Sequence, residues 1–117
     1  MIALMSGLSA SDLELVRYNN PGLTVDLGVG LWAWPLPMDY DGDGDLDLVV
    51  GSGGKPYNGV YFFENPDGSL MPVFKAGVRV ADYKNNLQIS PDGSVLSPGR
   101  SYPDFLQSGL DEPVDLP

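Results

Sequence analysis

Apolar residues in this chain occur in short runs separated by glycine, proline and asparagine, a pattern typical of β-strands joined by turns. Segment 31–38 holds Pro35 and Pro37, which exclude a helix and predict an extended strand. Segments 46–50 and 59–64 are rich in β-branched and aromatic residues and each is followed by a turn signal. The pattern therefore predicts an all-β fold built from antiparallel strands.

The segment 59–64 is apolar on both of its predicted faces. Val60 and Phe62 point to one side of an extended strand, while Tyr61 and Phe63 point to the other. A sheet with one wet face would place polar residues at every second position. The sequence therefore predicts a sheet that is covered on both sides.

The remaining patterns are weaker. Short apolar runs at 70–74 and 78–81 predict further strands, and 87–89 and 94–96 flank a Ser-Pro-Asp-Gly turn that predicts a hairpin. Near the start, 11–18 fits either a short capped helix or an alternating strand.

The segment from Ser97 to the last residue is rich in proline, glycine and aspartate. These residues favour irregular structure. We expect an irregular loop here, with Phe105 and Leu106 as its apolar anchors.

The amino-acid composition restricts the catalytic groups, metal sites and partners that the chain can have. The 117 residues include no Cys and no His, which excludes a thiol nucleophile, a disulfide, an imidazole base and zinc sites built on nitrogen or sulfur. With 16 acidic and 6 basic residues the net charge is -10, which argues against nucleic acid and anionic membranes as partners. No run approaches the ~20 apolar residues of a membrane span, so we expect no membrane insertion. A chain with this excess of carboxylates is suited to bind hard cations.

Five of the acidic residues fall within nine positions. They are Asp39, Asp41, Asp43, Asp45 and Asp47. Such a group repels itself unless the carboxylates share a cation, and a spacing of two along a tight loop turns them towards a common centre. Ca²⁺ takes six to eight hard oxygen ligands at about 2.3–2.6 Å in a flexible shell, whereas Mg²⁺ demands a stricter octahedron. The loop therefore predicts a calcium site.

The Asp-x-Asp-x-Asp-Gly pattern also begins the EF-hand loop, but the rest of the sequence excludes that motif. The twelfth position counted from Asp39 is Val50, where an EF-hand needs a bidentate Glu. A strand-loop-strand arrangement fits instead. In it Asp39, Asp41 and Asp43 donate side-chain oxygens, Asp45 donates its backbone carbonyl, Asp47 closes the shell, and Gly44 supplies the sharp turn.

The run from Asp39 to Gly51, DYDGDGDLDLVVG, closely resembles the calcium loop and following strand of FG-GAP or VCBS repeats, the blades of integrin-like β-propellers. The resemblance covers roughly 31–74. It implies that the loop joins the first two strands of a blade and that 59–65 is the next strand. Because a closed propeller needs ~4–8 blades, we expect one or at most two blades here, as a fragment of a longer propeller chain.

These expectations divide the chain into three parts. Residues 1–22 form an N-terminal lead-in, and 23–75 form the blade with its calcium loop at 39–47. Residues 76–117 form short strands and an irregular loop that begin a further blade or an insertion.

The resemblance implies a function in binding or scaffolding, within a secreted or cell-surface protein and without catalysis in this segment. Polysaccharide or another protein is the expected partner besides calcium. The alternative is an N-terminal fragment of a secreted polysaccharide lyase or glycoside hydrolase. Trp32, Trp34 and Tyr40 fit a stacking platform for sugar rings, although packing between blades is the commoner use of such side chains.

Overall fold

The computed structural model describes residues 29–117, which form two antiparallel β-sheets of four strands each. In each sheet the spatial order of the strands follows the chain. The first sheet contains β1 (Trp32–Met38), β2 (Asp47–Gly53), β3 (Gly59–Phe63) and β4 (Val78–Ala81). The second contains β5 (Gln88–Ile89), β6 (Val95–Ser97), β7 (Arg100–Tyr102) and β8 (Val114–Asp115), and a one-turn helix, α1 (Phe105–Ser108), lies between β7 and β8. The all-β prediction is confirmed. The predicted lead-in and the element at 11–18 lie outside the described residues.

The acidic loop joins the first two strands of the first sheet, and β3 follows as the sequence predicted. Leu36 pairs with Val49 across β1 and β2, and Val49 pairs with Phe62 across β2 and β3. The strand expected at 70–74 does not form, because Pro72 interrupts the run and lacks the N–H that a ladder requires. The fourth strand is β4 instead, so the first sheet extends past the predicted blade boundary at residue 75.

One face of the first sheet packs against the second sheet to form the main core. Leu36, Val49 and Val60 meet Val95 and Tyr102 in one buried cluster. Gly51 permits close contact at this interface, since an added Cβ there would lie 2.9 Å from Cδ1 of Leu87. The two sheets therefore share a single apolar core.

The opposite face of the first sheet is also partly covered, as the apolar pattern of β3 predicted. Phe63 is only 1% exposed. The chain between β3 and β4 passes over it, and an added Cβ at Gly77 would lie 2.6 Å from Cε1 of Phe63. The connection between β3 and β4, which contains the run at 70–74, thus covers this face of the sheet.

The second sheet confirms the predicted hairpin and corrects the expectation for the C-terminal part. β5 and β6 pair around the Ser-Pro-Asp-Gly turn. The irregular loop expected from Ser97 is wrong, because β7, α1 and β8 form there. Phe105 is a buried anchor, whereas Leu106 is exposed. Adjacent residues of a helix point about 100° apart, so one turn cannot bury both.

Within residues 29–117, no helix has the length and apolar character needed to cross a membrane.

The outer edge of β1 lacks hydrogen-bond donors at two positions. Pro35 and Pro37 pair in register with Val50 and Leu48 of β2. Proline has no N–H, so the residues that alternate with the prolines must supply the donors of β1 to β2. The proline nitrogens therefore face away from β2, along an edge that pairs with no other strand within residues 29–117.

Candidate metal site

The acidic loop is held at both ends by the first sheet. Met38, the residue before the loop, and Asp47, the last residue of the loop, form the last pair of the β1–β2 ladder. Within the loop Gly42 and Gly44 adopt φ values of 82° and 96°, which other residues rarely reach. The predicted sharp turn at Gly44 is thus present, and it allows the chain to fold back on itself.

Carboxylates inside the loop accept hydrogen bonds from the loop's own backbone. Asp39 Oδ1 accepts from Gly42 N at 2.8 Å, and its Oδ2 accepts from Gly44 N at 3.1 Å. Asp41 accepts from Asp43 N at 3.2 Å, and Asp43 accepts from Asp45 N at 3.1 Å. These bonds curl the backbone and turn successive carboxylates inward.

Three of the five predicted ligands converge. One carboxylate oxygen from each of Asp39, Asp41 and Asp43 lies within 4.8 Å of the other two. Oxygens bound to one Ca²⁺ at about 2.3–2.6 Å have separations up to about 5 Å, so the spacing fits a shared ion. Three carboxylate oxygens at this spacing could share one hard cation.

Asp47 lies outside this group of three and has a structural role that the sequence did not reveal. It is 2% exposed. Its Oδ2 accepts from Tyr40 N at 3.1 Å, and its Oδ1 accepts from Asn65 N at 2.9 Å. Asp47 therefore ties the start of the loop to the end of β3.

Asn65 is the second residue that sequence reasoning missed. Its side chain is 2% exposed, and Nδ2 donates to the carbonyl of Leu46 at 3.2 Å. The sequence marked Asn65-Pro66 only as a turn. An asparagine next to a turn gave no signal that its side chain would reach Leu46, 19 residues earlier in the chain.

Two buried oxygens near the loop have no hydrogen-bond donor among the described residues. They are Oδ1 of Asp45 and Oδ1 of Asn65. A buried acceptor without a partner costs about 1–3 kcal/mol, and a cation or its bound water offers one way to satisfy it. The lack of a hydrogen-bond donor for these two oxygens agrees with a metal-binding loop.

The electrostatic environment of the loop favours protonation in the absence of a cation. Desolvation raises the pKa of the Asp45 carboxyl above 3.8, and the charges of Asp43, Asp47, Asp41 and Asp39 raise it further. Desolvation also raises the pKa of Asp41, against the lowering effect of its hydrogen bond from Asp43 N. The metal-free loop thus carries unfavourable negative charge at neutral pH.

No family model, curated protein or solved structure matches this chain. The resemblance to FG-GAP or VCBS repeats therefore stays a prediction from the loop sequence. The case for a metal site rests on the loop's own geometry.

Proposed function

We propose that the chain is a calcium-stabilised β-repeat module that serves binding or scaffolding in a secreted or cell-surface protein. The observation that carries the proposal is the convergence of Asp39, Asp41 and Asp43 in a loop closed by two paired strands. A flexible, all-oxygen shell of this kind suits Ca²⁺ better than Mg²⁺, which keeps its waters and demands an octahedron. Asp45 through its carbonyl and Asp47 through its carboxylate would complete the shell.

The position of the loop favours a structural role for the ion. The loop joins β1 to β2, and Asp47 and Asn65 connect it to the end of β3. An ion bound here would hold three strands of one sheet together at that end. Calcium concentrations high enough to fill a site of moderate affinity occur outside the cytosol, which supports the secreted or cell-surface setting.

Replacing Asp43 by alanine tests the metal site directly. We expect the calcium affinity to fall at least about tenfold, because the affinity of calcium loops depends on the number of charged ligands. The loss should be measured by isothermal titration calorimetry, with thermal melts in calcium and in chelator alongside. In chelator the melting temperature should change little, since the bond from Asp45 N to Asp43 is exposed.

Asp104→Ala is the matched control for this experiment. Asp104 is an exposed aspartate whose side chain makes no capping bond to α1. It should bind calcium like the parent chain. Equal losses of stability for Asp43→Ala with and without calcium would contradict a role through the metal.

Acidification should have opposite effects on the stability of the chain in the absence and in the presence of calcium. In chelator, the raised pKa values of Asp41 and Asp45 mean that the folded state binds more protons than the unfolded state just above pH 3.8. Stability then falls as pH rises through that window, so acidification from neutral pH to just above pH 3.8 should stabilise the metal-free chain. With saturating calcium, protons compete with the ion and the same acidification should destabilise it.

Urea unfolding at both pH values, with and without calcium, measures this reversal. The lowered pKa of Asp92, which accepts from Ser94 N, acts in the opposite direction but mainly below 3.8. The same sign of pH dependence in both conditions would count against calcium binding by these carboxylates.

A further inference from the structure

Asn65, the second residue after β3, is bonded to the last two residues of the acidic loop. Its backbone N–H donates to Asp47 Oδ1 at 2.9 Å, and its side-chain Nδ2 donates to the carbonyl of Leu46 at 3.2 Å. The proposed shell takes two of its ligands from this stretch, the carbonyl of Asp45 and the carboxylate of Asp47. Asn65 therefore holds in place the part of the loop that would close around the ion.

The remaining polar atom of the Asn65 side chain is a buried acceptor. Asn65 is 2% exposed, and its Oδ1 receives no hydrogen bond from any residue within 29–117. Exchanging the two ends of the amide would not satisfy it, because Oδ1 would then face the Leu46 carbonyl, which can only accept. Oδ1 therefore needs a donor or a cation that the described residues do not supply.

A second oxygen of this kind lies on the loop side of the same contact. Oδ1 of Asp45 is also buried without a donor among the described residues. The Asp45 carboxylate lies against the turn after β3, since a Cβ added at Gly68 would be 3.3 Å from its Oδ2. Asn65 and Gly68 are the two ends of the Asn-Pro-Asp-Gly sequence of that turn. Both oxygens thus belong to the contact between residues 45–46 and the turn at 65–68.

Water bound to a cation is the partner that suits these two oxygens. Carboxylate and amide oxygens only accept hydrogen bonds, so their partner must donate or carry positive charge. The Asp45 carboxylate lies outside the group formed by Asp39, Asp41 and Asp43, which favours an intervening water over a direct bond to the same ion. Ca²⁺ takes six to eight oxygen ligands, so the ligands proposed from the loop leave room for water in its shell.

We propose that Asn65 is a positioning residue of the calcium site, and that its Oδ1 and Oδ1 of Asp45 accept hydrogen bonds from water bound to the ion. The inference rests on the calcium site proposed above and adds to it a residue from outside the loop. Hydrogen bonds of this kind orient the ligands of a metal, and their loss typically lowers metal affinity about 10–100-fold.

Calorimetric titration of the full chain with Ca²⁺ tests the inference, and far-UV circular dichroism checks the fold of each variant. Asn65→Ala removes Nδ2 and Oδ1 but keeps the N–H that donates to Asp47. We expect it to weaken calcium binding at least about tenfold. Asn65→Asp keeps an acceptor and adds a charge, so it should bind calcium more tightly than Asn65→Ala. A purely structural side chain would leave the calcium affinity of the folded chain unchanged.

A pair of variants at Asp45 tests the water-mediated bond with Asn65 intact. Asp45→Asn and Asp45→Ala lose the same charge and keep the backbone carbonyl, but only Asp45→Asn keeps an acceptor at Oδ1. We expect Asp45→Asn to bind calcium more tightly than Asp45→Ala. With Eu³⁺ in place of calcium, luminescence lifetimes in H₂O and D₂O should show that the bound ion carries water in the parent chain.

Asn58→Ala is the matched control. Asn58 immediately precedes β3, at the opposite end of the strand from Asn65, and its exposed side chain accepts from Gly54 N. This variant should bind calcium like the parent chain.

Parent-like calcium affinity in Asn65→Ala, equal affinities in the two Asp45 variants, or bound Eu³⁺ without water would overturn the inference and leave the calcium site standing. If Asn65→Ala does not fold, the Asp45 pair and the water measurement decide. Absence of calcium binding by the parent chain would overturn the calcium site and this inference together.

Discussion

Replacing Asp47 by alanine lowers the free energy of unfolding by about 3 kcal/mol in chelator, and by more in calcium because a proposed ligand is lost as well. The carboxylate is buried and accepts from Tyr40 N and Asn65 N. Hydrogen bonds to a charged group contribute about 1.5–3 kcal/mol each, and alanine leaves both N–H groups without an acceptor. The substitution therefore also removes the connection between the acidic loop and the end of β3.

Urea denaturation followed by far-UV circular dichroism measures this loss. Asp47→Asn keeps the shape of the side chain but can accept at only one of its two terminal atoms, so it should fall between the parent chain and Asp47→Ala. Asp104→Ala should unfold like the parent. A loss confined to calcium-containing buffer would show that Asp47 acts only as a ligand.

Removal of calcium should produce the second large effect. For a site with an assumed affinity of ~10 µM at ~1 mM Ca²⁺, mass action contributes about 2.7 kcal/mol to stability. In a domain of this size that corresponds to a fall of about 10–20 °C in melting temperature. Repulsion among five unscreened carboxylates in the emptied loop acts in the same direction.

Thermal melts in 2 mM Ca²⁺, in 2 mM Mg²⁺ and in excess chelator measure the effect. A cooperative β-type transition should shift upward with Ca²⁺ and much less with Mg²⁺. Identical melting temperatures in Ca²⁺ and chelator would contradict the proposed site. Equal stabilisation by both cations would indicate general charge screening of the loop.

The parts of the fold that the sequence predicted are those set by neighbours along the chain. Two prolines required an extended β1, and the runs that became β2 and β3 carried their own strand preference. The run at 70–74 had similar preference, but Pro72 and the turn after β3 prevented a ladder there. Pairing of β4 to β3 across a connection of 14 residues depends on tertiary contacts that no local pattern reports.

The same distinction holds for the candidate site. Contacts between residues close together in the sequence could be predicted, and contacts between distant residues could not. Convergence of Asp39, Asp41 and Asp43 follows from spacing within one short loop, so their sequence was enough to predict it. The bonds of Asp47 to Asn65 N, and the placement of Tyr83 on Gly53, join residues that are distant along the chain. Only the folded structure brings these pairs together.

The prolines on the outer edge of β1 make the two edges of the first sheet unequal in their capacity to pair with a further strand. An incoming strand would find no donors at Pro35 and Pro37, whereas β4 at the other edge contains no proline. An additional strand, from a neighbouring repeat or another molecule, would therefore pair more favourably with β4 than with β1. Pairing of two copies of the sheet through their β1 edges is disfavoured for the same reason, because each edge lacks two of the donors that a ladder needs.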